Sequence, residues 1–207
     1  MRQVILQIDI TLDGFIAGPN GEMGWVKADE EMNQDANELL STADTILLGR
    51  LAYQLFADYW PFADTNATST ESKIAYQLNH ATKVVFSRTL DKVEWGKWNN
   101  ARLVKGNIAG VLSEMKAQAG KNLVLYAGAD IVSTFMQLGL VDEYRLRVHP
   151  IVLGSGKPLF KDIKDRRNLK LLTTKSYKNG AILLDYQPVK KITRQDDGSR
   201  VVPEAFP

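Results

Sequence analysis

Short runs of aliphatic and β-branched residues alternate along this chain with segments of helical period, and that alternation constrains the fold more than any other feature. QVILQIDI, TILLG, KVVFS, ARLVK and NLVLYAG read as strands, and VDEYRLRVHPIVLG as a longer one. Met32, Ala36, Leu39, Leu40 and Ala43 fall at i, i+4, i+7, i+8 and i+11, one apolar stripe of a helix within residues 30–43. Ile108, Val111, Leu112, Met115 and Ala119 repeat the pattern before Gly120, as do Ile131, Val132, Phe135, Met136 and Leu138 before Gly139. Parallel neighbours need a crossover, usually helical, so this order predicts an α/β fold with a largely parallel sheet. The end of the chain differs: LKLLTTKSYKNGAILLDYQ places Asn179-Gly180 between two strand-like halves, which is antiparallel hairpin chemistry. Residues 188–207 are polar and aperiodic and are expected to form a tail, leaving 1–187 as one domain.

Composition removes several function classes. With 207 residues, folding should bury roughly 70% of the surface an unfolded chain exposes, so the core needs no metal or disulfide. The absence of cysteine excludes disulfides, thiolate nucleophiles and cysteine metal sites, and is compatible with a cytoplasmic protein. Two histidines, His80 and His149, do not make a multi-histidine metal centre. The 26 basic and 24 acidic residues are spread evenly, without the basic block of a nucleic-acid binder, and KDIKDRRNLK is broken by Asp162 and Asp165. MRQVILQIDI is too short and too polar for a signal peptide or membrane span. The expected partner is a small molecule, with a homodimer as a further expectation.

In an α/β protein an anion is expected where a strand ends and a helix begins, because free N–H groups and the helix dipole both favour negative charge there. Three such junctions occur. ILLGRLAYQLF breaks at Gly49-Arg50, where glycine allows close approach and a guanidinium can grip a phosphate with two N–H bonds. VVFSRTL ends a strand with Ser87 and Arg88, and LYAGADIV presents Ala127, Gly128 and Ala129 at a helix start. Together they suit a ligand with more than one phosphate. The G-x-G-x-x-G fingerprint is missing after the first strand, which argues against the usual dinucleotide fold but not against the ligand.

TLDGFIAGPNGEMGW, ILLGRLAYQ, KVVFSRTL and LYAGADIVSTFMQLGLVDEYRLRVHPIVLGSGKPLF, in that order, resemble the dihydrofolate reductase-like superfamily. Within it the chain is most similar to the reductase domain of bacterial riboflavin biosynthesis, the RibD C-terminal domain, and its stand-alone relatives. The resemblance implies a three-layer fold with a mostly parallel eight-stranded sheet and an antiparallel C-terminal hairpin, binding NADPH along the strand ends. It places Gly49 and Arg50 at the cofactor phosphates, Ser87 and Arg88 at the 2′-phosphate, and Gly128, Ala129 and Asp130 at the pyrophosphate. Ile16 and Ala17 match the loop against the nicotinamide, Trp25 the edge of the substrate pocket, and Lys157 a loop on the substrate side. Ala52 and Ala127 depart from the family pattern, which has a threonine hydroxyl and a glycine there.

The implied activity is an NADPH-dependent oxidoreductase of a small nitrogen heterocycle, with 5-amino-6-(5-phosphoribosylamino)uracil as leading substrate. Dihydrofolate or pteridine reduction and non-catalytic NADP binding are the alternatives. A proton must accompany the hydride. Glu30, at the start of the first helix, and Asp13 are the carboxylate candidates, although the first turn of a helix and a turn of the chain suit those residues without any catalysis. His149, late in a strand, reads as structural or pocket-lining.

Overall fold

A computed structural model describes residues 1–66 and 68–189. The expected tail therefore lies outside the described residues, apart from Pro188 and Val189. The elements run β1 (Val4–Thr11), β2 (Phe15–Ala17), α1 (Glu30–Ser41), β3 (Ala43–Gly49), α2 (Arg50–Tyr59), α3 (Thr70–His80), β4 (Thr82–Phe86) and β5 (Ala101–Val104). They continue as α4 (Ile108–Ala117), β6 (Asn122–Tyr126), α5 (Ala129–Gln137), β7 (Glu143–His149), β8 (Lys157–Pro158), β9 (Leu169–Ser176) and β10 (Ile182–Pro188). Eight strands make one sheet in the order β5-β4-β3-β6-β1-β7-β10-β9. Strands β5 to β7 in that order are parallel, and β10 pairs antiparallel with both β7 and β9. This is the expected α/β class, mostly parallel with an antiparallel end.

Alternation along the strands divides the core in two. Val4, Leu6, Ile8 and Ile10 of β1 share one cluster with Leu112 and Met115 of α4 and Val132, Phe135 and Met136 of α5. Ile5, on the opposite side of the same strand, shares the other with Leu39 and Leu40 of α1 and Ile74 and Leu78 of α3. Side chains two apart on a strand point the same way, so the sheet lies between two helical layers. Helix α2 joins the α1 side through Ala52, Tyr53 and Phe56.

Several boundaries differ from the sequence expectation. Ala43 opens β3 instead of closing the first helix, because Thr42 alone separates the two elements. Ala119 and Leu138 lie just past the ends of α4 and α5. At the hairpin only Gly180 takes a positive φ, +86°. Asn179 instead uses its side chain, donating to the Lys27 carbonyl at 2.5 Å and accepting from the Ala181 N–H at 3.0 Å.

One buried cation closes α3. Lys83 of β4 is fully buried, donates to the carbonyls of Leu78 and Asn79 at 3.0 Å each, and lies 4.5 Å from the Trp95 ring centre. These carbonyls belong to the last turn of the helix, where free acceptors and the dipole favour a cation. Burial still pushes the amine down to about 7 from 10.5. Between those values the unfolded chain holds a proton that the folded one has released, so stability should rise with pH across that window. Comparing wild type with Lys83→Met by urea unfolding from pH 7 to 10 should show this rise, at most about 5 kcal/mol, in the wild type only.

Candidate functional site

The three strand ends lie on one edge of the sheet, but only Gly49-Arg50 and Gly128-Ala129 are strand-to-helix junctions: after Ser87 and Arg88 the chain runs as a loop to β5, so that end offers no helix start. Strands β4, β3 and β6 are adjacent and parallel, so Ser87, Gly49 and Ala127 follow one another along their C-terminal ends. Two inter-strand spacings span about 10 Å. Gly49 and Ala127 are close enough that a methyl at Gly49 would lie 3.3 Å from the Ala127 methyl and 3.3 Å from Ile131 Cγ1. The chain leaving β3 enters α2 on one face of the sheet, whereas the chain leaving β6 enters α5 on the other. Neighbouring strands that send their helices to opposite faces leave a crevice between the strand ends, where open α/β sheets take ligands.

Helix capping marks the same place. Helices α1, α3 and α4 start under the side chains of Asp29, Ser69 and Asn107, each accepting a first-turn N–H. Helices α2 and α5, which flank the crevice, start at Gly49 and Gly128 without a side-chain cap. Their first N–H groups are free for an anion. A methyl at Gly128 would meet nothing within 4 Å, so space is open over its backbone. Ala127 takes its position without a positive φ.

Arg50 and Arg88 are exposed at this edge. Among the described residues Arg50 donates only to Gln54, at 3.3 Å. The Ser87 hydroxyl oxygen accepts from the N–H groups of Thr89 and Leu90 at 3.2 Å and lies 3.3 Å from the Thr89 hydroxyl, which orders the turn. Asp130 turns outward to Lys161, 3.1 Å away, so at the start of α5 it can offer its N–H but not its carboxylate. Ala52 packs its methyl against the α1-side core.

The long loop after β1 is held down on the neighbouring strand ends. Its strand β2 pairs with β8, and a side chain on Gly156 would lie 2.3 Å from the Ala17 carbonyl, so the two backbones touch there. Ile16 and Ala17 are buried, leaving the backbone as what they offer a ligand. Lys157 sits on the ribbon with its amine beside Gly21. Further on, Trp25 packs edge-on against His149, ring centres 5.4 Å apart.

Neither carboxylate candidate is placed as a proton donor. Asp13 accepts from the Thr11 hydroxyl at 2.6 Å and from the N–H groups of Leu153 and Gly154 at 3.1 and 2.8 Å. The Thr11 hydroxyl, and then those N–H groups, hold its carboxyl below the usual value, so it is an ionised staple between loops. Glu30 is exposed and bonds Thr70 at the start of α3 and Gln34, away from the crevice. The acids of α1 that turn toward the sheet are Glu31, 3.2 Å from Lys175 of β9, and Asp35, which accepts from Lys175 at 2.9 Å and Tyr177 at 2.5 Å.

A polar cluster that the sequence reading missed lies on the α1 side of β1 and β7. Asp9 accepts from Arg147 Nη2 at 2.6 Å and bonds His149 Nε2 at 2.8 Å, and all three are largely buried. A carboxylate can only accept, so His149 carries its proton on Nε2. Burial pushes the Asp9 carboxyl up, but the His149 bond and the Arg147 charge outweigh it and hold the acid below 3.8. Beside it Arg145 pairs with Asp185 at 3.1 Å and reaches Gln7 at 3.4 Å. The available signal was alternation: Gln7 and Asp9, and Arg145, Arg147 and His149, are polar at every second position of otherwise apolar strands.

Two clefts of about 570 and 490 Å³ lie elsewhere, at the N-terminal edge of the sheet, with Asp44 and His80 in both. The smaller holds the paired Arg2 and Asp44. Helix C-terminal ends face that edge, so it lacks the free N–H groups of the crevice. Among the described residues no group of three or more His, Cys, Asp or Glu could hold a metal ion, and no helix is long and apolar enough to cross a membrane.

The family model described as RibD C-terminal domain matches residues 2–183. The chain belongs to that family. The uncharacterized protein YyaP of Bacillus subtilis (strain 168) is 40% identical over 185 residues, covering 89% of this chain and 94% of YyaP. A crystal structure from Shewanella sp. PV-4, described as a candidate riboflavin biosynthesis protein, aligns with TM-score 0.73 at 21% identity, over 92% of this chain and all of that one. The diaminohydroxyphosphoribosylaminopyrimidine deaminase/5-amino-6-(5-phosphoribosylamino)uracil reductase of Thermotoga maritima aligns with TM-score 0.62 at 15% identity, over 91% of this chain and 57% of its own. At these identities the two structures establish a shared fold.

Within the RibD C-terminal domain family, the buried Asp9 cluster gives this member a testable electrostatic signature. Asp9→Asn leaves Arg147 without its counter-ion and should cost about 3 kcal/mol at neutral pH. Because the folded acid titrates below 3.8, the wild type keeps this contribution above that value and loses it as pH falls through the folded value. Urea unfolding at pH 7 and at the lowest pH where both proteins fold should show the gap between wild type and Asp9→Asn narrowing in acid.

Proposed function

We propose that the chain is an NADPH-dependent reductase of a small nitrogen heterocycle, with 5-amino-6-(5-phosphoribosylamino)uracil as the leading substrate. The observation that carries this reading is the meeting of two uncapped helix starts, at Gly49 and Gly128, in the crevice between β3 and β6. Membership of the RibD C-terminal domain family supports the reductase class, and the name of the Thermotoga maritima relative supports the substrate.

The residues present fit a dinucleotide. Space over Gly128 admits a phosphate oxygen, and the N–H groups at the starts of α2 and α5 face it from two sides. Arg50 adds charge at the pyrophosphate, and Arg88 beside the paired Ser87 and Thr89 hydroxyls suits a 2′-phosphate. The backbone at Ile16 and Ala17 borders the nicotinamide, and Trp25 closes the substrate side. When bound, the cofactor supplies the hydride that reduces ribose C1′. With Asp13 and Glu30 committed elsewhere, a solvent water supplies the proton to the neighbouring heteroatom. Dihydrofolate reduction is the weaker reading, because Glu30 is turned toward α3.

Thermal shift with NADPH and NADH tests the cofactor. A ligand at a hundredfold its Kd adds about 2.7 kcal/mol, which at this chain length raises Tm by roughly 5–10 °C. Arg50→Ala should weaken both cofactors, Arg88→Ala should weaken NADPH alone by about tenfold, and Gly128→Ala should weaken both while leaving the ligand-free Tm unchanged. No shift with millimolar NADPH would contradict the reading. With binding established, consumption of NADPH by the ribosylaminouracil phosphate and not by dihydrofolate selects the substrate.

A further inference from the structure

The buried cluster of Asp9, Arg147 and His149 is expensive to keep and incomplete. Withdrawing an ion pair from water costs several kcal/mol per ion, and apolar side chains of similar volume usually stabilise a fold as well or better. Yet this pair lies across β1 and β7 in direct register, where the other side of the same strands is packed with Ile8, Ile10 and Leu146. Two donors here have no acceptor among the described residues: Arg147 Nε and Trp25 Nε1 are both buried without a hydrogen-bond partner. Each unpaired buried donor costs about 1–3 kcal/mol. Trp25 reaches the cluster through its edge contact with His149, and His149 reaches Arg147 through Asp9.

We propose that Arg147 and Trp25 form a substrate subsite whose N–H groups receive an uncharged oxo group of the heterocycle, with Asp9 as the positioning residue. The charge balance selects that ligand. Asp9 already neutralises Arg147, so a phosphate gains little from the pair while a carbonyl oxygen satisfies donors that are otherwise wasted. Asp9 holds Arg147 through Nη2, which leaves Nε as the free donor, and holds His149 as the platform for the indole. The subsite rests on the reading of the chain as a reductase of nitrogen heterocycles and names the residues that recognise that substrate.

The test uses the whole ¹⁵N-labelled protein, in which the indole resonance of Trp25 is identified among four tryptophans by its loss in Trp25→Phe. Titration with 5,6-diaminouracil should shift that resonance, and inorganic phosphate should not. Arg147→Lys keeps a charge opposite Asp9 but lacks the Nε donor, and Trp25→Phe keeps a ring against His149 but lacks the indole N–H. Each should weaken 5,6-diaminouracil about tenfold by calorimetry, with Trp25→Phe keeping the wild-type Tm and NADPH shift. Asp9→Asn should weaken the probe while the NADPH shift keeps its size, which a purely structural role would not produce. An indole resonance that ignores 5,6-diaminouracil, as expected if a trapped water satisfies the donors, would overturn the proposal. So would an equal response to phosphate, or unchanged probe affinity in Trp25→Phe. A protein that passes these tests but shows no NADPH shift would retain the subsite and contradict the reductase reading.

Discussion

The placement of β6 is the constraint on which the site depends. The chain lays down β3, β4 and β5 in succession away from β1, then returns to insert β6 between β1 and β3. Helix α2, leaving β3, lies with α1 and α3, while α5, leaving β6, lies on the opposite face with α4. Two parallel neighbours thus diverge at their C-terminal ends, and the gap between them cannot be filled by either helix. Gly49 and Gly128 stand on its two sides, and the small side chain of Ala127 forms the contact between them. Any large residue at these positions would occupy the space over both helix starts.

A second constraint acts on the neighbouring strands. On the α4 and α5 side, β1 and β7 are packed with aliphatic residues and Tyr144, whereas their α1 side carries Gln7, Asp9, Arg145, Arg147 and His149. Helix α1 spans this polar strip between two apolar anchors: Met32 rests on Tyr177, Ala181 and Leu183, and Leu39 and Leu40 rest on the core beside Ile5 and Ile46. The long loop after β1 runs from Ile16, in the α5-side core, to Trp25, on His149, and so passes over the strand ends between the two faces. Asp13 and Gly156 secure it there. The crevice and the polar strip therefore meet at the C-terminal ends of β1 and β6.

The sheet and most of its helices were legible in the sequence because their apolar periods are strong, and the Asn-Gly hairpin because its turn chemistry is local. Strands β2 and β8, of three and two residues, are too short to carry a period. Ala43 fitted the stripe of α1 yet begins β3, since one residue separates the elements and periodicity cannot mark so sharp a change. Helix α3 was missed, its stripe of Ile74, Ala75 and Leu78 being short and set among polar residues. That Gly49, Arg50, Ser87, Arg88 and Gly128 stand on one sheet edge was legible because each lies where an apolar strand run ends, a local feature. The Asp9 cluster could not, because its bonds join residues 138 and 140 positions apart and register across β1 and β7 alone brings them together. Glu30 shows a related limit: counting along α1 locates a carboxylate but not the face it takes, and the acids turned toward the sheet are Glu31 and Asp35.

A crystal structure of the protein with NADPH tests the central claim most directly. The pyrophosphate should lie between Gly49-Arg50 and Gly128-Ala129, with the adenosine 2′-phosphate against Ser87 and Arg88 and the nicotinamide toward Ile16 and Ala17. Density for the cofactor in the clefts around Asp44 and His80, or with its adenosine end beside Trp25, would contradict the account.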